Sequence, residues 1–234
     1  MSDHRCGTVP GSHRTSLGSS VPAIADQANI TRSTTSLYPP GMPDDEVTTE
    51  PPLEDPRPSG LRSPESLVLV LTGDGKGKSS SAFGMVMRAR AREWDVAVVQ
   101  FVKSGEWNTG EEKICRQLGV SWNAWGSGFT WDSDDLEHDR NIAHSAWTKT
   151  AQLITEGRHR LIVLDELTYL ISWGWLEIEP VIETISSRPS HVSIICTGRD
   201  AHPSLIDLAD TVTSMTNVKH AYDSGITAKR GIDY

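Results

Sequence analysis

Beyond Pro64 the apolar residues alternate between two patterns. Short unbroken runs occur at Leu67–Leu71, Val96–Phe101, Leu161–Leu164 and Val192–Cys196. Runs of this length suit strands buried on both faces. Thr211–Met215 is expected to be a last strand. Between the strands lie stretches with helical spacing. Lys78 to about Glu93 places Ala82, Met85, Val86 and Ala89 on one face. Glu111–Leu118 is a short helix ending at Gly119, and Leu136 to about Glu156 a longer one closed by Gly157. Leu176–Ser186 also reads as helix, as does Pro203–Leu208, with Pro203 placed for a first turn. Strand and helix in alternation predict an α/β fold, a mostly parallel sheet with helices on both faces. Ligands of such sheets sit outside the carboxyl ends of the strands.

Residues 1–63 break the pattern. They hold nine of the 13 prolines, many Ser and Thr, and one aromatic, Tyr38. That composition cannot bury enough apolar surface to offset the entropy of ordering. The expected organisation is a disordered Pro/Ser/Thr-rich tail, 1–63, and one domain, 64–234. The N-terminus shows no apolar core of a secretory signal. A net charge of −9 argues against a nucleic-acid partner. No apolar run approaches the ~18 residues of a membrane span. Cys6, Cys115 and Cys196 form no CxxC pair, so neither a disulfide framework nor a zinc site is indicated. A reducing, cytoplasmic setting is expected.

Two elements carry chemistry. Gly73-Asp74-Gly75-Lys76-Gly77-Lys78-Ser79-Ser80 follows a strand and opens a helix, the context of a phosphate-binding P-loop. Its backbone N–H groups and the helix N-terminus would face phosphate oxygens. Lys78 would meet the outer phosphates and the Ser79 hydroxyl a Mg²⁺ ion. The spacing departs from G-x-x-x-x-G-K-[ST], which needs glycine at Thr72, and Lys76 is an extra cation inside the loop. The second element is "LIVLDEL", which sets Asp165 and Glu166 at a strand tip, the Walker-B arrangement for holding that metal. Asp165 is alternatively a helix N-cap. Together the two predict a P-loop NTPase-like, RecA-like domain that binds a nucleotide. They leave open an ATPase, a kinase or another nucleotide-dependent activity.

Three further stretches narrow the choice: "VVQFVKS" from Val98, "GSGFTW" from Gly126, and "TGRDAHPSLIDLADTVTSM…VKHAYDSGITAKRGIDY" from Thr197. With "TGDGKGKSSSAFG" and "LDELTYL" they closely resemble the ATP:corrinoid adenosyltransferases of the bacterial P-loop type, over nearly all of residues 66–234. The resemblance implies a transferase that moves the 5′-deoxyadenosyl group of ATP to cobalt(I) of a corrinoid, releasing triphosphate, in adenosylcobalamin biosynthesis or salvage. It implies Mg²⁺ (or Mn²⁺), ATP bound in reversed orientation, a cob(II)/cob(I) corrinoid substrate, a flavoprotein reductant and a homodimer. Phe129 and Trp131 match the aromatics that displace the corrinoid's lower axial ligand, though they also read as core aromatics. Arg88 falls at a position associated with the nucleotide and Arg199 at a strand tip where an anion could be met, or each serves a surface ion pair. Asp74 stands where relatives often carry Asn, which puts a negative charge beside the triphosphate unless Lys76 pairs with it. His220 reads as structural rather than as a cobalt ligand, and Trp175 as a packing residue.

Overall fold

The computed structural model describes Glu54 and residues 57–103, 109–126 and 136–233. Six strands form one sheet: β1 (Val68–Thr72), β2 (Val96–Gln100), β3 (Ser121–Ala124), β4 (Leu161–Asp165), β5 (Ser193–Thr197) and β6 (Thr211–Ser214). Their order across the sheet is β3-β2-β4-β5-β1-β6, and every neighbouring pair is parallel. The phosphate-loop strand β1 and the acidic strand β4 are therefore not adjacent. Strand β5 lies between them. This is the expected α/β P-loop fold.

The apolar runs explain the layering. Strands β2 and β4 are buried at every position. Alternate side chains feed two cores, as the two-residue period of a strand demands. On one face Val98, Val163 and Ile195 pack against Ala82, Phe83, Val86 and Ala89 of α1 (Lys78–Arg90) and Cys115 of α2 (Gly110–Gln117). On the other, Val99, Ile162, Leu164 and Ile194 meet α3 (Leu136–Glu156), α4 (Leu167–Ser172), α5 (Ile178–Ser186) and α6 (Pro203–Leu208). Among the described residues no helix is long and apolar enough to cross a membrane.

Several boundaries differ from expectation, each for a local reason. Helix α1 ends at Arg90 rather than near Glu93. Trp94 N–H closes back on Ala89 O at 3.1 Å and Glu93 N–H on Arg90 O at 2.9 Å, with Glu93 at φ 60°. This is a Schellman closure with glutamate in the left-handed position glycine usually takes. The expected helix from Leu176 starts at Ile178 because Glu177 is extended at its N-cap. Strand β3 and helix α4 were not anticipated. Strand β3 is a four-residue edge strand, Ser-Trp-Asn-Ala, in which only Trp122 is buried, so it shows no apolar run. Helix α4 begins one residue after β4 ends, which leaves no linker to signal a change of element.

Candidate functional site

The phosphate loop is zipped to the far side of the sheet. Thr72, where a P-loop glycine was expected, is still strand: it pairs in register with Ser214. The ladder then continues beyond both strands. Met215 N–H donates to Thr72 O at 2.8 Å, and Gly75 N–H donates to Met215 O at 2.7 Å. The loop thus begins its turn one residue late, at Gly73, with φ 91°. A Cβ on Gly73 would lie 2.5 Å from Met215 O, and one on Gly75 would lie 2.7 Å from Thr216 O. The displaced glycine is explained by this backbone-to-backbone packing.

From there the chain enters α1. Gly77 is its N-cap and offers no side-chain cap, and the first turn carries no acidic residue. The leading N–H groups of α1 are thereby left to an anion. Lys78 Nζ donates to Gly73 O and Gly75 O, both at 2.7 Å, which holds the ammonium inside the loop. Burial first, and the nearby Arg199 charge second, pull the Lys78 amine below the usual lysine range.

Behind the loop sits the acidic strand tip. Asp165 is fully buried. Thr197 Oγ1, from the tip of β5, donates to Asp165 Oδ1 at 2.8 Å, and Gln100 Nε2, from the tip of β2, donates to Oδ2 at 3.0 Å. Lys103 Nζ stands 4.0 Å from the same oxygen. Glu166 turns the chain from strand to helix in a single left-handed residue, φ 65°, pinned by its N–H to Thr197 Oγ1 at 3.0 Å. Such a conformation costs a non-glycine residue about 1–2 kcal/mol, and strain of this kind gathers at functional sites. Glu166 Oε2 is buried and accepts no hydrogen bond. Burial, then the Asp165 charge, push the Glu166 carboxyl up to about 7, against the pull of Lys103 and Lys78.

The loop, Lys103 and Glu166 share one cleft of about 460 Å³, with Asp165 buried behind its wall. Of the expected residues, Asp74, Gly75, Lys76, Gly77, Lys78, Ser79, Ser80, Glu166 and Arg199 all line it. Gly73 contributes its carbonyl to Lys78. Arg88 is not brought there; it lies exposed in the last turn of α1. Lys76 does not pair with Asp74. Arg199 Nε faces Asp74 Oδ1 at 3.8 Å, while Lys76 reaches across to Asp233. Arg199 itself is set by Gly198, where a Cβ would fall 2.1 Å from Thr168 Oγ1, and by the Thr168 hydroxyl donating to Arg199 O.

The family model described as "ATP:corrinoid adenosyltransferase BtuR/CobO/CobP" matches residues 64–234. The chain belongs to the ATP:corrinoid adenosyltransferase family. A "Corrinoid adenosyltransferase" of Pseudomonas aeruginosa is 43% identical over 175 residues, covering 74% of this chain and 86% of that protein. "Corrinoid adenosyltransferase CobA" of Salmonella typhimurium is 38% identical over 180 residues, covering 77% and 91%. The Escherichia coli K12 "Corrinoid adenosyltransferase" is 37% identical over the same length. Phe129 and Trp131, the aromatics this adenosyltransferase shares by motif, lie outside the described residues.

The adenosyltransferase cleft has further walls that sequence reading missed. Lys103, Glu111 and Tyr169 line it, and Asn217, Tyr222, Asp223 and Asp233 close it from the C-terminal segment. Lys103 follows the strand in the quoted "VVQFVKS", a position at the ligand edge of the sheet that could have marked it. His220 also lines the cleft, but its Nδ1 accepts Tyr222 N–H at 3.1 Å as the cap of a 3₁₀ turn, Ala221–Ser224. Trp175 packs against the core, as expected.

The donors present fit a hard divalent cation. Among the described residues no group of three or more His, Cys, Asp and Glu is gathered. A Mg²⁺ ion needs only one or two protein carboxylates beside water and phosphate oxygens. Asp165 accepts one hydrogen bond at each oxygen, whereas Glu166 lines the cleft and its Oε2 accepts none.

Two outcomes follow from this geometry. Gly73→Ala should lower ATP affinity roughly tenfold or more, since the left-handed turn costs 1–3 kcal/mol with a side chain; calorimetric titration with ATP checks it, and unchanged affinity would refute the zipped-loop account. Glu166 binds its proton more readily folded than unfolded, so its effect on stability is most favourable below pH 4.5 and is lost as pH rises to about 7. In chelator-containing buffer, Glu166→Gln should therefore gain stability over the wild type progressively between those values, read from denaturant midpoints. Parallel curves would refute it.

Proposed function

We propose that this adenosyltransferase grips the whole triphosphate of ATP as a leaving group. The protein transfers the 5′-deoxyadenosyl group of ATP to cobalt(I) of a corrinoid. Cobalt donates an electron pair to C5′, the Co–C bond forms, the C5′–O5′ bond breaks, and the electron pair leaves on the triphosphate oxygen. The observation that carries the reading is the span of the family match, 64–234, which takes in the loop, the acidic strand tip and the C-terminal wall together.

The residues then divide by what the reaction needs. The cobalt supplies the nucleophile, so the chain's task is position and charge. Negative charge develops on the bridging oxygen and spreads over three phosphates. The N-terminal N–H groups of α1, Lys78, Lys76 and Arg199 are the donors available to it in the cleft. Lys78, half-buried and fixed by two carbonyls, is the preorganised one. Ser79 and Glu166 would hold Mg²⁺, with Asp165 orienting the strand tip behind them. The ion, when bound, neutralises phosphate charge in the leaving group. Phe129 and Trp131 would fill the lower face of the corrinoid in place of its axial base. Without that base the cobalt orbital along the axis drops in energy, and reduction to cobalt(I) becomes accessible.

With ATP, Mg²⁺ and chemically reduced cobalamin, the protein should yield a light-sensitive adenosylated corrinoid and inorganic triphosphate. Release of ADP and phosphate would overturn the reading. Lys78→Ala should lower kcat by at least a hundredfold, the scale seen when a preorganised charge-stabilising donor is removed. Trp131→Ala should depress adenosylation from cobalt(II) with a mild reductant far more than from pre-reduced cobalt(I), whereas equal losses would assign Trp131 to packing.

A further inference from the structure

In this structure the cations of the cleft are engaged by groups of the chain itself. Lys78 is held by two loop carbonyls, Lys103 approaches Asp165, Arg199 faces Asp74, and Lys76 pairs with Asp233. The last pair joins residues 157 apart in sequence. It ties the chain's C-terminal segment across the phosphate loop. Asp233 is well placed for this: its second oxygen, Oδ2, accepts Lys229 N–H at 2.7 Å, and its own N–H donates to Lys229 O at 2.8 Å. The Lys229 N–H and then the Lys76 ammonium hold the Asp233 carboxyl below the usual carboxylate range.

Among the described residues little else holds the segment. Residues 225–233 are exposed apart from Ala228 and Asp233, and Ile232 is 78% exposed. A stretch with so few buried contacts opens at low cost. Within the pair Lys76 keeps 55% of its side-chain exposure and Asp233 19%. Pairs open to water contribute little to stability. A polyphosphate, with several charged oxygens, is the stronger partner for the same ammonium.

We propose that Asp233 is an exchange partner for the triphosphate: it holds Lys76 until the phosphates take the lysine, then recaptures it as inorganic triphosphate leaves. This residue does not touch the reacting atoms; it acts through Lys76. The device suits a reaction whose product carries the full charge of its substrate's phosphates, since a cradle of unpaired cations would retain triphosphate. The proposal rests on the reading that triphosphate is the leaving group.

The test uses the full chain, inorganic triphosphate and Mg²⁺, without corrinoid. Asp233→Asn keeps an oxygen for Lys229 N–H but surrenders the charge. Calorimetry should show triphosphate bound roughly fivefold tighter than by the wild type, the upper value of an exposed pair. In a Lys76→Ala background the same substitution should change nothing. Equal or weaker binding by Asp233→Asn, or the same gain without Lys76, would overturn the exchange. In the wild type, hydrogen exchange should show peptide 226–233 losing protection on triphosphate binding; unchanged protection would equally overturn it. If adenosyl transfer fails while the exchange is seen, only the reaction reading falls. Normal transfer with equal triphosphate affinities removes only the exchange.

Discussion

A buried carboxylate holds this site together. Asp165 has no exposed surface, and an ionised carboxylate in that position is costly unless every oxygen is answered. Thr197 and Gln100 answer it from the tips of the two strands that flank β4. Three strand ends are thereby locked in one plane. The consequences spread outward from the lock. Thr197 spends its hydroxyl's proton on Asp165 and its lone pair on Glu166 N–H, which fixes the left-handed turn at Glu166. After that turn Glu166 lines the cleft, and its buried Oε2 accepts no hydrogen bond. One carboxylate is committed to rigidity while its neighbour lines the cleft.

The strand order makes this division possible. Because β5 lies between β1 and β4, the loop after β5 falls between the phosphate loop and the acidic tip. The end of β5 gives Thr197 to the acidic tip, and the loop after it gives Arg199 to the phosphate loop. Gly198 is the joint: it lets the backbone press against Thr168, whose hydroxyl then anchors the Arg199 carbonyl. On the other side of β1, β6 does the matching work for the loop through Met215. The loop is thus braced from both flanking strands, and its odd glycine spacing is the record of the β6 contact rather than of a different ligand.

Much of the site was legible in the sequence because its parts are local. Strand, glycine loop and helix follow each other at Leu67–Ala82, and the acidic pair ends an apolar run, so both could be placed at the ligand edge of a parallel sheet. The resemblance then supplied the activity. What could not be read depends on contacts between distant segments. Nothing near Asp233 marks it as the partner of Lys76. Asp74 offered the nearer carboxylate, but Arg199 takes that role. Helix α4 was hidden because Glu166 makes the whole strand-to-helix transition alone. Arg88 stands apart from the cleft because about ten residues along α1 place it ~15 Å away along the helix axis.

A protein of net charge −9 that must hold a highly charged anion faces a specific difficulty. Long-range steering works against it, so attraction must come from groups within a few ångströms, where screening is weakest. The cleft meets this with Lys76, Lys78, Lys103 and Arg199, and then balances them with Asp74, Glu111, Glu166, Asp223 and Asp233. Such balance keeps the four cations from repelling one another and keeps the loop closed. It also means that binding a triphosphate is an exchange of partners rather than the filling of a positive hole. Affinity is then set by the difference between two sets of ion pairs, and modest differences suit an enzyme that must release everything but one adenosyl group.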